Sequence, residues 1–272
     1  MRVIRYAGYL ALIVSVTAGV AVQGQTQTST FEPQVGQAGK DVVWVPTPPE
    51  MVEKMLDLAQ VTPKDFVMDL GSGDGRNIIG AAKRGARALG VEYNNDMVEL
   101  SRRLAAAANV GDRAQFVQGD MYVADISKAN VLAIFLLPSN MLQLRQKFLD
   151  LQPGSRIVSN TFSIQDWTAD ETVTLDNCSS WCTALLYIVP AKVGGTWRTP
   201  QGELALKQEF QMLSGTLTAN GQTTAVTGRL RGEQITLSFG GQELSGRVGG
   251  NAIEGSLKGG SGQSNWRATR AG

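Results

Sequence analysis

Histidine is absent from all 272 residues. That excludes Ser-His-Asp and Cys-His nucleophilic mechanisms and every histidine-ligated metal site. Cysteine occurs only at Cys178 and Cys182, too few for a thiolate zinc site. In an exported chain the two could form one disulfide; equally, they could be two small residues flanking a turn. An excess of charge is missing too. With 25 Lys/Arg against 24 Asp/Glu the net is +1, so no strong basic field suggests a nucleic-acid partner. The distribution is uneven, however. Residues 30–190 carry 14 Lys/Arg and 19 Asp/Glu, net −5, and residues 191–272 carry 9 and 5, net +4. An acidic surface suits a basic partner such as a lysine side chain, and solubility alone also accounts for it.

Long apolar runs are confined to the start. Arg2 and Arg5 precede the apolar-rich Tyr6–Val22, and a polar stretch, GQTQTST, follows. A positive start, an apolar segment and small residues near Val22-Gln23-Gly24 read as a secretory signal over residues 1–24. An uncleaved membrane anchor is the alternative, since 17 residues sit at the lower edge of a membrane span. Either reading places the protein outside the cytoplasm (periplasmic) or on the membrane. Residues 25–40 are polar and read as a flexible linker.

From residue 41 the pattern is that of an α/β domain reaching to 190. Thr47-Pro-Pro-Glu50 has the form of a capping box, with Thr47 as N-cap and Pro48 opening a helix that runs to Gln60. Phe66–Leu70, Ala88–Glu92, Ala114–Gln118, Val131–Leu137 and Arg156–Thr161 read as strands, the first without alternation, as in a buried parallel sheet. Helices are expected over Gly75–Arg84, Met97–Ala108 and Met141–Leu151. Strands alternating with helices imply a doubly wound, mostly parallel sheet. Glu171–Asp176 and Thr183–Val189 then follow each other with no helix between, as an antiparallel hairpin. Residues 191–272 hold 17 of the 31 glycines and repeat a short unit: LSGTL, VTGRL, LSGRV and IEGSL. Period-2 alternation predicts a small antiparallel β domain of six to eight strands, its glycines assigned to turns. Trp197-Arg198 and Trp266-Arg267 near its two ends suit a closed barrel.

The chemistry concentrates in VMDLGSGDGRN, residues 67–77. Glycines let a backbone turn tightly and approach a ligand at the carboxyl end of a strand. A dinucleotide turn wants G-x-G-x-x-G, but here Gly75 comes one position early. Carboxylates at Asp69 and Asp74 would repel a pyrophosphate and suit an ammonium. That favours S-adenosylmethionine, with Gly71, Ser72 and Gly73 forming the cradle. Glu92, ending the second strand, can accept both ribose hydroxyls. Asp120, after the third, can accept from the adenine amino group, with Met121 packing on the ring. Thr47 could also touch the methionine carboxylate at the helix N-terminus.

The run Trp44–Trp167 resembles the class I, seven-strand S-adenosylmethionine-dependent methyltransferases with a Rossmann-like sheet. Within that class it is most similar to the protein-lysine methyltransferase family acting on adenine nucleotide translocase and the ATP synthase c subunit. The matching pieces are VPTPPEMV, DLGSGDGR, GVEYNNDMVELSRRLA, NVLAIFLLPSN and GSRIVSNTFSIQDW. The resemblance implies methyl transfer to an amine, with Asp69, Gly71, Gly73, Glu92 and Asp120 holding the cofactor. It sets Pro138, Ser139 and Asn140 beside the methyl group as substrate-orienting residues, where Ser139 or Asn140 could instead serve only as an N-cap. No general base is assigned. Trp44, Phe162 and Trp167 are candidate apolar walls for a lysine. The export signal and the β domain depart from the family pattern. Two other readings stay open: a small-molecule methyltransferase, and an exported non-catalytic protein that binds an adenosine-like ligand.

Overall fold

A computed structural model describes residues 1–2, 31–260 and 262–271. The expected signal or anchor falls outside these residues, as does most of the expected linker. Among the described residues no helix is long and apolar enough to cross a membrane. The chain divides into two compact units, Met1–Phe31 and Glu32–Gly272.

The second unit begins with a sheet domain. In chain order its elements are α1 (Pro49–Leu58), β1 (Phe66–Leu70), α2 (Arg76–Lys83), β2 (Arg87–Glu92), α3 (Asn95–Ala107), β3 (Ala114–Gln118), β4 (Val131–Ile134), α4 (Pro138–Leu149), β5 (Arg156–Asn160), β6 (Glu171–Thr174) and β7 (Thr183–Ile188). The sheet has seven strands in the order β3-β2-β1-β4-β5-β7-β6. The first five are parallel, β7 runs antiparallel to β5, and β6 pairs antiparallel with β7 at the edge. Both sheet faces are covered, because parallel strands this apolar need burial on two sides. The two coverings differ. On one face Met51 and Leu56 of α1, Ile78 of α2 and Val98 of α3 form a core with Val67 and Val131. On the other, α4 supplies Leu144 and Phe148, joined by Ile126, Ile164 and Trp167 from irregular connections. The double winding is therefore uneven, since the β3–β4 and β5–β6 connections carry no helix.

Two helix starts differ from expectation. Pro48 is the N-cap of α1, with no side-chain capping bond, so the Thr47 capping box does not form. Consecutive prolines fix two φ angles and lack donors, which moves the start to Pro49. Thr47 is instead buried, and its carbonyl accepts from Arg76 Nη1. Helix α4 starts at Pro138 with Leu137 as N-cap, so neither Ser139 nor Asn140 caps it; both lie in the first turn.

The chain continues into β8 (Gly195–Arg198), β9 (Glu203–Glu209), β10 (Met212–Ala219), β11 (Gln222–Arg231), β12 (Gln234–Phe239), β13 (Gln242–Gly249), β14 (Ala252–Gly259) and β15 (Gly262–Arg270). These close into an eight-stranded antiparallel barrel, and β15 meets β8 through Thr269↔Arg198 and Arg270↔Trp197. Trp197, Leu217, Leu230, Leu237, Ile253 and Trp266 are among the side chains filling it. The repeated glycines are not at turns, as the sequence pattern implied. Gly215, Gly228, Gly246 and Gly255 lie mid-strand. Each takes an inward position between two apolar residues, and a Cβ there would lie 1.9–2.6 Å from a carbonyl oxygen of the facing strand. They are the points where a tightly coiled sheet brings two backbones together.

Barrel and sheet domain are docked by specific contacts. The fully buried Asp170 carboxylate accepts from Arg229 Nη2 at 2.7 Å and from Ile188 N at 2.8 Å. Gln211 Nε2 donates to Thr168 O at 2.7 Å, and Trp167 stacks on Phe210 with ring centroids 5.7 Å apart.

Candidate active site

The carboxyl ends of β1, β2 and β3 converge on one crevice, where loops of an open α/β sheet diverge. Gly71, Gly73 and Gly75 have φ of +72°, +55° and +80°, left-handed values that suit glycine. Space agrees with conformation: a Cβ at Gly73 would lie 2.8 Å from Trp44 Nε1, and one at Gly75 2.5 Å from the Phe116 ring. The loop is tied down by its neighbours. Gly71 N and Ser72 N donate to Val91 O at 2.8 and 3.1 Å, and Ser101 Oγ of α3 donates to Gly73 O at 2.9 Å.

Asp69, next to last in β1, is almost fully buried. Asn77 Nδ2 donates to its Oδ2 at 3.0 Å, while Oδ1 has no partner. Burial pushes this carboxyl well above the usual range, against the Asn77 bond; the nearby Glu92 and Asp74 push the same way. An unpartnered buried carboxylate oxygen fits a cationic ligand group. Glu92 is already oriented: Oε2 accepts from Gly73 N and Oε1 from Asn94 N, both at 2.9 Å. Each oxygen keeps lone-pair capacity for a ribose hydroxyl. Asp120 accepts from Lys40 Nζ and, at 2.8 Å, from Tyr122 N. The Lys40 bond holds the Asp120 carboxyl below its usual value, with Tyr122 N adding to it. Met121 is buried beside it.

Other expected site residues sit differently. Asp74 is taken by Arg76, whose Nε donates to its Oδ1 at 2.9 Å, so it offers no free charge to an ammonium. Ser72 turns its side chain against Gly90, leaving its backbone to the crevice. Pro138 and Ser139 are exposed, whereas Asn140 is buried and donates from Nδ2 to Tyr122 Oη at 2.6 Å, with its Oδ1 unpartnered. Trp167 is buried between Tyr187 and Phe210 on the barrel side and is no substrate wall.

The crevice has a roof that the sequence pattern missed. Residues 36–44 form a small hairpin: Gly36 N donates to Trp44 O, Trp44 N to Gln37 O, both at 2.9 Å, and Ala38 bridges Val43. From Gly36 onward the expected linker is therefore folded. Beneath it three hollows share lining residues. Lys40, Tyr93, Asp120 and Met121 line the first; Trp44, Glu92, Met97 and Phe135 the second; Thr47, Asp69, Asn77 and Phe135 the third. That succession suits adenine, ribose and methionine in turn. The residues fit S-adenosylmethionine, with Asp69 for the ammonium, Glu92 for the ribose and Asp120 for the adenine.

Comparison with known proteins bears on the family and the cofactor class. The family model described as ANTKMT methyltransferase domain matches residues 69–171. A protein-lysine N-methyltransferase of Saccharolobus islandicus is 38% identical over 151 residues, covering 54% of this chain and 94% of that protein. The chain belongs to the ANTKMT methyltransferase family. The adenine nucleotide translocase lysine N-methyltransferase of Mus musculus is 33% identical over 128 residues, 46% of this chain and 56% of that protein. Among solved structures, an RNA methyltransferase from Salinibacter ruber in complex with S-adenosyl-L-homocysteine is 41% identical with a TM-score of 0.52; the match covers 55% of this chain and 96% of that one. As a member of the ANTKMT family the protein is an S-adenosylmethionine-dependent methyltransferase.

Proposed function

We propose that this methyltransferase modifies lysine side chains of proteins, with Asp69, Gly71, Gly73, Glu92, Asp120 and Met121 holding the cofactor. The observation that carries the reading is the 38% identity over nearly the full length of a protein-lysine N-methyltransferase, which falls on a crevice suited to a sulfonium cofactor. When bound, S-adenosylmethionine supplies a methyl group on a sulfonium and leaves as the thioether, keeping the electron pair of the broken S–C bond. The chain's own contribution is positioning and exclusion of water. The hairpin roof with Trp44 closes over the glycine loop. Asn140, buried and anchored on Tyr122, is assigned the orienting of the incoming amine. The amine must first lose a proton to solvent, and apolar surroundings favour its neutral form. No side chain needs to act as a strong base.

The net −5 of residues 30–190 supports a basic protein target over RNA. The disulfide between Cys178 and Cys182 supports an exported, oxidising location, the reading also expected from the sequence of residues 1–24. Labelled S-adenosylmethionine incubated with the protein and extracts of protein or RNA tests the reading. Label recovered as methyl-lysine after acid hydrolysis supports it; label confined to RNA or small molecules overturns it.

A further inference from the structure

Three aromatic rings meet at the carboxyl ends of β4 and β5, and none belongs to a core. Phe135 follows β4, Phe162 follows β5, and Trp181 lies in the β6–β7 hairpin. Their centroids are 5.9 Å apart for Phe135–Phe162, 5.4 Å for Phe135–Trp181 and 5.7 Å for Phe162–Trp181. All three are half-buried. Phe135 also lines the hollows beside Glu92 and Asp69, so the cluster adjoins the end of the crevice assigned to methionine.

The backbone is bent in two places to make this cluster. Thr161, β-branched, has φ +61°, and Trp181 has φ +58°. Non-glycine residues in that region cost of order 1–3 kcal/mol and persist where the surroundings hold them, often at ligand sites. Thr161 N donates to Thr183 O at 2.7 Å, which bends the chain after β5 and brings Phe162 beside Phe135. Trp181 is held within the short loop closed by Cys178–Cys182. Besides that bond, the base of the hairpin tip is held by the Thr174–Thr183 pairing, the Thr161 N to Thr183 O bond and the Leu175 N to Cys182 O bond.

We propose that Phe135, Phe162 and Trp181 form the wall along which the target lysine's methylene stem lies, and that the Cys178–Cys182 disulfide keeps Trp181 in that wall. This rests on the protein-lysine reading and adds the substrate-specificity residues and their redox dependence. The rings touch one another, so they form a continuous apolar face and not an open cage. Such a face packs an alkyl stem against apolar carbon.

The test uses the full chain and a probe that needs no knowledge of the target. The probe is an S-adenosylhomocysteine analogue with nitrogen in place of sulfur, linked through two carbons to the ε-nitrogen of Nα-acetyl-lysine amide. Calorimetry compares it with S-adenosylhomocysteine itself. The gain in affinity from the lysine arm should fall about tenfold in Trp181→Ala, as expected for lost burial of one to two methylenes. It should be largely kept in Trp181→Phe. Dithiothreitol should also reduce the gain, and only two cysteines exist for it to act on. S-adenosylhomocysteine binding should stay unchanged throughout, which also reports that the variants are folded. An undiminished gain after both Trp181→Ala and reduction overturns the wall. No binding of S-adenosylhomocysteine by the wild type overturns the cofactor assignment instead. Label from S-adenosylmethionine recovered only in RNA or small molecules, and none in methyl-lysine, overturns the lysine reading and leaves the wall standing.

Discussion

Lys40 is ion-paired with Asp120 across 80 residues of sequence, joining the tip of the roof hairpin to the end of β3. The Lys40 ammonium also stands 4.9 Å from the Tyr93 ring centroid. One contact thus ties the roof to the carboxylate assigned to adenine. In Lys40→Met the hairpin loses this tie, and S-adenosylhomocysteine should dissociate several-fold faster, with Lys40→Arg near wild type. Stopped-flow displacement measures both. Equal dissociation rates would remove the roof from any part in cofactor retention.

Asp69 makes cofactor binding pH-dependent. Its carboxyl is raised by burial, so without ligand it keeps its proton above the ordinary carboxylate range. A raised carboxyl stabilises the cofactor-free fold at low pH, and that contribution is lost as pH rises through the raised value. Pairing with an ammonium requires the ionised form. Affinity should therefore climb with pH across the same window, then level off, and binding should release protons. Calorimetry in buffers of different protonation enthalpy reads this directly. Asp69→Asn should abolish the buffer dependence as well as weaken binding; an unchanged dependence would assign the proton to another group.

Gly73→Ala should disable the cofactor site with little effect elsewhere. The residue combines φ +55° with the Trp44 indole 2.8 Å from any Cβ. A strain of about 1–3 kcal/mol is expected, and Trp44 must move out of the roof. Cofactor affinity falls while the barrel is unaffected, as titration and thermal unfolding would report.

The barrel glycines should behave by position. In Gly215→Ala the methyl meets Ala205 O at 1.9 Å, and overpacking of about 1–3 kcal/mol is expected. Gly249→Ala, with nothing within 4 Å and no left-handed backbone, should be close to neutral. Denaturant titration of the two variants distinguishes a mid-strand glycine facing a neighbouring carbonyl from one at an open strand end, and equal stability would refute the close-approach role.

Much of the sheet domain was legible because its signals are local. Apolar runs set β1 and β4, Asp69 and Glu92 end strands, and the spacing of Gly71, Gly73 and Gly75 separates this turn from a dinucleotide turn. The misses are equally physical. Thr47 looked like a cap, but two prolines shift the helix start and Arg76 claims its carbonyl. Asp74 looked free for an ammonium until Arg76 folded back on it. Trp167 and Phe162 carried the same aromatic signal; one is buried against Phe210 and the other joins Phe135 at the crevice. The barrel glycines repeat like turn residues, yet their role depends on which strand faces them.

Sequence alone determined the α/β pattern, the cofactor class, the strand-end acids and the alternating strands of the C-terminal domain. These rest on periodicity, residue chemistry and short spacings, which the chain carries without folding. Tertiary structure decided what lies far apart in sequence and close in space. Lys40 reaches Asp120, Trp44 roofs Gly73, and Trp181 meets Phe135 and Phe162. Such contacts depend on backbone course and on which partner each side chain finds first, and no local pattern encodes that choice.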